Sequence, residues 1–229
     1  MSASHPSAGN LPRGDSLVSN RIKDGARAML APIVRLAQRL GVTANTVTVA
    51  GFLIVVAAAV LVGSGNLLAG AIVLVGGSLL DAVDGALARA TGGGTAFGSF
   101  LDSTLDRAAE AILFGGIIAY YLRSSIDPIG PVLLALAALS GSFLVSYTRA
   151  RAEGIGATAS VGLAQRTERL VLIVAGISLA GLGFEIGLIS AIVIVAALSA
   201  ATTIQRIWHV RQQVDGQPAA RDIETAQER

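Results

Sequence analysis

The sequence has no cysteine and few charged side chains. Its 229 residues include no Cys, and only 14% are Asp, Glu, Lys or Arg, whereas an ordinary soluble domain has about a quarter. The lack of cysteine excludes disulfides and thiolate catalysis, and it gives no indication of whether the protein's compartment is oxidising or reducing. The lack of charge, together with 53% hydrophobic residues and a mean hydropathy of +0.68, indicates a membrane protein with little soluble mass.

Aromatic residues are also scarce, at 4%, and small residues dominate instead. The chain has 27 Gly and many Ala, which is typical of transmembrane helices that pack closely. Residues 1–19 are rich in Ser, Gly and Pro without an apolar core stretch, so we expect no signal peptide there. Residues 213–229 are polar, and we predict a disordered tail at each end.

Six segments are apolar enough to cross a bilayer, which takes about 20 mostly apolar residues. They run from about residue 46 to 63, 67 to 88, 97 to 122, 131 to 151, 168 to 182 and 186 to 210, and the fifth is the shortest. We therefore predict an all-α, polytopic membrane protein whose six transmembrane helices form one domain, residues 42–212.

Residues 20–41, which precede the first span, have the periodicity of a helix. The apolar residues that can share one face are Ile22, Ala26, Met29, Ile33 and Leu40. This pattern predicts an interfacial amphipathic helix lying on anionic lipid, kinked at Pro32. An ordinary basic flank to the first span is the alternative.

Basic residues lie almost entirely on one side of the predicted bundle. Sixteen of the 17 Lys and Arg fall in the two ends or in the second-to-third and fourth-to-fifth connections, and only Arg123 falls on the other side. Because basic flanks stay in the cytoplasm, we predict that both termini are cytoplasmic and that the protein lies in the cell membrane. Cytoplasmic termini require an even number of spans, which agrees with six.

Four aspartates occur at helical spacing on the second and third predicted spans. Asp81 and Asp84 are three residues apart, and Asp102 and Asp106 are four apart, so each pair shares a helix face. The Gly-rich link at residues 92–94 turns the chain back, which predicts that the two helices are antiparallel neighbours. The two pairs can then face each other near the cytoplasmic ends.

Four carboxylates at such close range repel one another strongly unless a positive charge neutralises them. Hard divalent cations with oxygen ligands, Mg²⁺ or Mn²⁺, are the natural choice, and two such ions can clamp a diphosphate for in-line attack. Gly85, Ala88 and Gly98 leave room for a ligand, and Arg89 is placed to bind a phosphate.

Two other interpretations of these carboxylates must be weighed. A single intramembrane Asp is often only a helix-end charge that reaches water, but four at this spacing favour a site. An ion transporter would use similar carboxylates, yet the later spans contain no second aspartate cluster of the kind that a repeated transporter half would carry.

The stretch from Asp81 to Asp106 reads D-x₂-D-G-x₂-A-R-x₈-G-x₃-D-x₃-D. It resembles the signature of the CDP-alcohol phosphotransferases at every defining position, and the resemblance covers about residues 20–212. The resemblance implies an enzyme that transfers a phosphatidyl-type group from a CDP-linked lipid to an alcohol and releases CMP. It also implies a homodimer, with membrane lipids and no nucleic acid among its partners.

The resemblance implies a role for each signature residue. Asp81, Asp84 and Asp102 would bind metal, and Asp106 would be a metal ligand, the general base that deprotonates the acceptor hydroxyl, or both. The residues that would contact the CDP-lipid are Asp84, Gly85, Ala88, Arg89, Gly98 and Asp102. Ala44 departs from the Pro that the family often has before Asn45, and we favour Asn45 as a helix N-cap over a nucleotide contact.

Four arginines in the later segments bear on the acceptor alcohol. Arg149, Arg166, Arg169 and Arg206 would border a cavity at the level of the aspartates. Arg binds phosphate well, and topology-setting charges without a ligand are the alternative. These segments resemble those of the phosphatidylinositol phosphate synthases of actinobacteria, which implies inositol 1-phosphate as acceptor and CDP-diacylglycerol as donor. Glycerol 3-phosphate, the acceptor of a phosphatidylglycerophosphate synthase, is the alternative within the family.

The predicted topology can be tested with single cysteines, since the chain has none of its own. Ser125→Cys, near Arg123, should react with a membrane-impermeant maleimide on intact cells. Gln217→Cys, near the C-terminus, should react only after permeabilisation. Equal labelling of Gln217→Cys on intact cells would overturn the six-span arrangement.

Overall fold

The computed structural model describes residues 31–90, 94–163 and 165–215, and every regular element in these ranges is an α-helix. The predicted tail at residues 1–19, the first part of the predicted amphipathic helix and most of the predicted C-terminal tail lie outside the described residues. Most of the Gly-rich link between the aspartate pairs also lies outside them.

Each segment predicted as a span is helical. Helix α1 covers residues 31–39, and it is followed by α2 (Ala44–Gly63), α3 (Leu67–Ala90), α4 (Ala96–Ser124), α5 (Ile129–Gly154), α6 (Arg166–Gly181) and α7 (Ile186–Val214). The ends of α2 to α7 lie within about one turn of the predicted limits. Helix α7 continues through Val214, beyond the predicted domain limit at residue 212.

Side chains cap three of these helices at their N-termini. Thr43 caps α2 by accepting a hydrogen bond from the amide of Thr46, at 3.2 Å, and Thr95 caps α4 by accepting from the amide of Gly98, at 2.9 Å. Gln165 and Glu168 form a capping box at the start of α6. The prediction that Asn45 caps α2 is therefore wrong, because Thr43 supplies the oxygen and Asn45 lies in the first turn.

Four of the described helices, α2, α3, α5 and α7, are long and apolar enough to cross a membrane. Helix α4 carries a group of charged residues in its first half, and α6 has only 16 residues, so neither meets the same measure. The chain is thus an all-helical, multi-pass membrane protein. Six spans and an interfacial position for residues 20–41 remain predictions.

The six long helices form a closed ring. Helix α2 packs on α3 and α4, α3 packs on α6, α6 on α7, α7 on α5, and α5 on α4. The side chains at the centre of the ring, among them Leu74, Phe114, Ile117 and Ile177, are fully buried. The expectation that α3 and α4 are direct neighbours is wrong along most of their length, because both pack chiefly on α2.

Small residues let the backbones of neighbouring helices touch. A Cβ atom on Gly116 of α4 would lie 2.4 Å from the carbonyl oxygen of Ala59 in α2, and a Cβ on Gly176 of α6 would lie 2.5 Å from the Cβ of Ala191 in α7. This close approach accounts for part of the high glycine content. Because α2 is pressed against both α3 and α4, it sets the separation of the two aspartate-bearing helices.

Candidate metal and substrate site

Three aspartates from two helices converge at one end of the bundle. Asp81 of α3 and Asp102 and Asp106 of α4 each offer a carboxylate oxygen, and these three atoms lie within 4.8 Å of one another. Asp84, one turn after Asp81, is only 7% exposed and accepts a 2.8 Å hydrogen bond from the hydroxyl of Thr48 in α2. The structure thus brings the two predicted pairs together, with α2 holding one member.

An arginine from α6 bridges the two pairs. Arg166 donates from Nη1 to Asp81 Oδ2 at 2.7 Å, and its Nη2 lies 2.6 Å from Asp106 Oδ1. The capping box that starts α6 fixes the position of Arg166 as the first residue of the helix. This guanidinium therefore ties α6 to both aspartate-bearing helices.

The residues of this cluster fit a divalent cation. Two arginines, Arg166 and the more distant Arg107 at 3.9 Å from Asp106, contact the cluster, so four carboxylates keep a formal excess of negative charge. Three of the carboxylates are half-buried and converge on one point with hard oxygen atoms, which is the ligand set that Mg²⁺ and Mn²⁺ prefer.

A cavity of about 870 Å³ opens on one side of the cluster. It is lined by all six residues predicted to contact the CDP-lipid: Asp84, Gly85, Ala88, Arg89, Gly98 and Asp102. Asn45 and Thr48 from α2 complete the same wall. We call this space the donor cavity.

The glycine at position 98 is required by the packing of the donor cavity. A Cβ atom there would lie 2.9 Å from Asn45 Oδ1 and 3.1 Å from Thr95 Oγ1. Asn45 is thus part of the cavity wall, and its contact with a nucleotide stays a prediction. The sequence analysis did not predict a role for Thr48. The one feature of the sequence that could have indicated it is that Thr48 lies three residues after Asn45 and so shares its helix face.

A second cavity, of about 790 Å³, opens on the other side of the cluster. Asp106 lines it, and so do all four arginines predicted to hold the acceptor phosphate: Arg149, Arg166, Arg169 and Arg206. We call it the acceptor cavity. Asp84 and Asp102 line the first cavity and Asp106 lines the second, so the carboxylate cluster lies between the two and a ligand in either cavity could reach it.

The four arginines of the acceptor cavity differ in exposure. The side chain of Arg149 is 59% exposed and pairs with Glu153 at 2.9 Å, and that of Arg166 is 32% exposed. Those of Arg169 and Arg206 are buried. The first two therefore present their guanidinium groups to a ligand more fully than the other two.

The two buried arginines bind groups of the protein itself. Arg169 makes a bidentate pair with Glu110, with hydrogen bonds of 3.0 and 3.1 Å. Arg206 donates from Nε to the carbonyl of Val161, at 3.0 Å, and from Nη1 to the carbonyl of Val145. These contacts fix the wall of the acceptor cavity.

The sequence analysis did not predict that Glu110 and Arg107 belong to the site. Glu110 lies one turn after Asp106, at the same spacing as the aspartates of α4, and this spacing was the available signal. Arg107 donates from Nη1 to the hydroxyl of Ser146 in α5 and lies 3.8 Å from Glu110. Together they connect α4 to α5 and α6 beside the cluster.

The helical bundle and its acidic site between two cavities define a membrane protein that can bring two ligands to one carboxylate cluster suited to a divalent cation. The model of the CDP-alcohol phosphatidyltransferase family matches residues 41–215 of the chain. The chain belongs to this family and is a transferase, as the signature from Asp81 to Asp106 predicted.

Several known proteins are similar to this chain over most of their own length. The chain is 38% identical over 205 residues to an archaetidylinositol phosphate synthase of Methanothermobacter thermautotrophicus, covering 89% of this chain and all of that one. It is 36% identical over 183 residues to a phosphatidylinositol phosphate synthase of Corynebacterium glutamicum, covering 80% and 84%. A crystal structure of the Mycobacterium tuberculosis phosphatidylinositol phosphate synthase with CDP-DAG bound matches with a TM-score of 0.75 and 34% identity, covering 80% and 94%.

The buried pair of Arg169 and Glu110 predicts a stability difference between arginines of the same cavity. Among the described residues, Arg169→Ala leaves Glu110 paired with the more distant Arg107 alone, and breaking a buried pair costs about 3–5 kcal/mol. Arg149→Ala removes an exposed pair worth about 0–1 kcal/mol. Thermal unfolding in detergent should therefore show a clearly lower melting temperature for Arg169→Ala alone. Equal melting temperatures would contradict a structural role for the pair.

Proposed function

We propose that the protein transfers the phosphatidyl group of CDP-diacylglycerol to inositol 1-phosphate, forming phosphatidylinositol phosphate and releasing CMP. The observation that carries this proposal is the position of the carboxylate cluster between the donor cavity and the arginine-lined acceptor cavity. The names of the relatives in Methanothermobacter and Corynebacterium support inositol phosphate as the acceptor. The CDP-DAG bound to the M. tuberculosis enzyme supports the donor.

We assign the donor cavity to the CDP moiety. Gly85, Ala88 and Gly98 have small or no side chains, so a nucleotide can approach the helix backbones. Arg89 adds an exposed guanidinium at the end of α3, suited to a diphosphate oxygen. Asn45 adds an amide that can both donate and accept hydrogen bonds.

Asp81, Asp84, Asp102 and Asp106 would hold Mg²⁺ or Mn²⁺, and two ions suit four carboxylates. A divalent ion bound there would polarise the diphosphate and stabilise the charge that develops on the leaving CMP. The complex of the M. tuberculosis enzyme with manganese and citrate supports this assignment. Thr48 orients Asp84 through its hydroxyl, and Arg166 pairs with both Asp81 and Asp106 and offsets their mutual repulsion.

Asp106 is the catalytic base in this proposal. It is the aspartate of the cluster that lines the acceptor cavity, so its carboxylate can take the proton from the acceptor hydroxyl. The hydroxyl oxygen then attacks the phosphorus that carries the diacylglycerol. The bond from this phosphorus to the CMP oxygen breaks, and CMP leaves through the donor cavity.

The acceptor phosphate would be held by the arginines of the second cavity. The exposed guanidinium groups of Arg149 and Arg166 are placed for direct contact. Arg169 and Arg206 add positive charge to the wall while their hydrogen bonds to Glu110, Val145 and Val161 hold its shape. This division of labour keeps all four arginines in the acceptor site.

The same proposal places the protein in the plasma membrane with six spans, α2 to α7. The termini and the site would face the cytoplasm, where the soluble acceptor is available, and residues 20–41 would lie on the membrane surface. The labelling of single cysteines described above tests this orientation. A homodimer is proposed from the family resemblance, and a monomer mass from light scattering in detergent would contradict it.

The experiment that tests the function identifies the lipid product. Purified protein is given CDP-diacylglycerol with inositol 1-phosphate or with glycerol 3-phosphate, and the lipid is identified by mass spectrometry. Phosphatidylinositol phosphate and CMP should appear with the first acceptor. Phosphatidylglycerophosphate alone would replace the proposed acceptor with glycerol 3-phosphate, and no CMP with either would favour the transporter interpretation.

The arginines are tested in the same assay. Arg149→Ala removes a charge-assisted hydrogen bond of about 1.5–3 kcal/mol, so the acceptor KM should rise about tenfold to a hundredfold with little change for the CDP-lipid. Arg151 is also exposed and lies two residues on, but it does not line the cavity. Arg151→Ala is therefore the matched control and should keep the wild-type acceptor KM.

A further inference from the structure

The segment between α5 and α6 lies along one face of the end of α7. We call residues 155–163 the connector. The residues of α7 that meet it include Thr202, Arg206, Val210 and Gln213. They follow one another at intervals of four, four and three residues, so they form a single stripe on the helix.

The far end of the connector is fixed by shape and by a guanidinium. Gly162 has a φ of +124°, and a Cβ atom on it would lie 2.2 Å from Cγ2 of Thr202, so only glycine fits there. The neighbouring carbonyl of Val161 accepts the hydrogen bond from Arg206. In the middle, Ala157 and Ala159 are buried and pack with Val210.

The middle of the connector is also held by the side-chain amide of Gln213. The backbone N–H of Thr158 donates to Gln213 Oε1 at 2.9 Å, and Gln213 Nε2 donates back to the carbonyl of Thr158 at 2.7 Å. One side chain thus satisfies both backbone groups of a residue 55 positions away in the sequence. A reciprocal pair of this kind fixes both the position and the orientation of the peptide.

The connector forms part of the wall of the acceptor cavity. Ser160 lines the cavity, and the chain then leads within a few residues to Gln165 and Arg166, which line it too. Gln213 is not among the lining residues. A change in the position of the connector therefore moves the acceptor site, and Gln213 can act on that site through the connector.

We infer that Gln213 is a positioning residue of the acceptor site, which holds the connector on α7 and thereby sets the affinity for the phosphorylated alcohol. The inference rests on the proposed function for the chemical class of that acceptor. The helix that carries Gln213 extends past the predicted domain limit at residue 212, so its last turn belongs to the functional unit.

The test compares two neighbouring glutamines. Gln213→Ala removes the three hydrogen bonds between Gln213 and Thr158, whereas Gln212→Ala changes an exposed side chain of the same type on the same turn. Steady-state titration of each substrate should give an acceptor KM about fivefold higher for Gln213→Ala, as expected for one lost hydrogen bond net. The donor KM and kcat should stay at the wild-type values, and Gln212→Ala should match the wild type throughout.

Two results would overturn the inference. One is an acceptor KM for Gln213→Ala equal to that of Gln212→Ala, and the other is a parallel change in donor KM and kcat, which would indicate general damage to the fold. Should the wild type use glycerol 3-phosphate instead of inositol 1-phosphate, the proposed acceptor fails, while the same comparison made with glycerol 3-phosphate still tests Gln213.

A second measurement follows the binding of inositol 1-phosphate without turnover, through the hydrogen–deuterium exchange of connector peptides during titration with this acceptor. Protection should require more of this acceptor in Gln213→Ala than in Gln212→Ala, and identical titrations would contradict the inference.

Discussion

The mutual repulsion of four carboxylates is the constraint on which the site depends. Asp81, Asp84, Asp102 and Asp106 meet at one end of an apolar bundle, where like charges are poorly screened. The helices bear this repulsion because α2 is packed tightly on both α3 and α4 and because a hydroxyl and a guanidinium bind three of the carboxylates. The same charge makes the cluster a strong ligand for a divalent cation.

The helices and the aspartate pairs could be predicted from the sequence because both depend on the spacing of residues that are close together in the chain. The limits of the helices follow from apolar runs and the pairing of the aspartates from intervals of three and four residues, and both are properties of neighbouring positions. Thr48 and Gln213 could not be found in this way, because each acts on a residue far away in the chain. The Asn45 cap failed for a local reason, since Thr43 two residues earlier supplies the capping oxygen.

The arginines illustrate the same limit for the acceptor cavity. Their presence together could be predicted from the basic segments, and the structure does gather all four at one cavity. Which of them face a ligand depends on long-range partners. Glu110 occupies Arg169, and two backbone carbonyls occupy Arg206. Charge alone therefore locates the proposed acceptor site, whereas burial and hydrogen bonding divide its residues into those that are exposed to the cavity and those that hold its wall.

Binding of Mn²⁺ to the purified protein, followed by electron paramagnetic resonance, tests the central claim that the carboxylates of α3 and α4 form one metal site. Asp102 is the best carboxylate to change, because Arg166 pairs with Asp81 and Asp106 and not with Asp102. These two ion pairs are therefore kept in Asp102→Asn. The wild type and Asp127→Asn, altered at an exposed carboxylate before α5, should bind Mn²⁺, and Asp102→Asn should lose most of this binding. Unchanged binding by Asp102→Asn, or none by the wild type, would contradict the account.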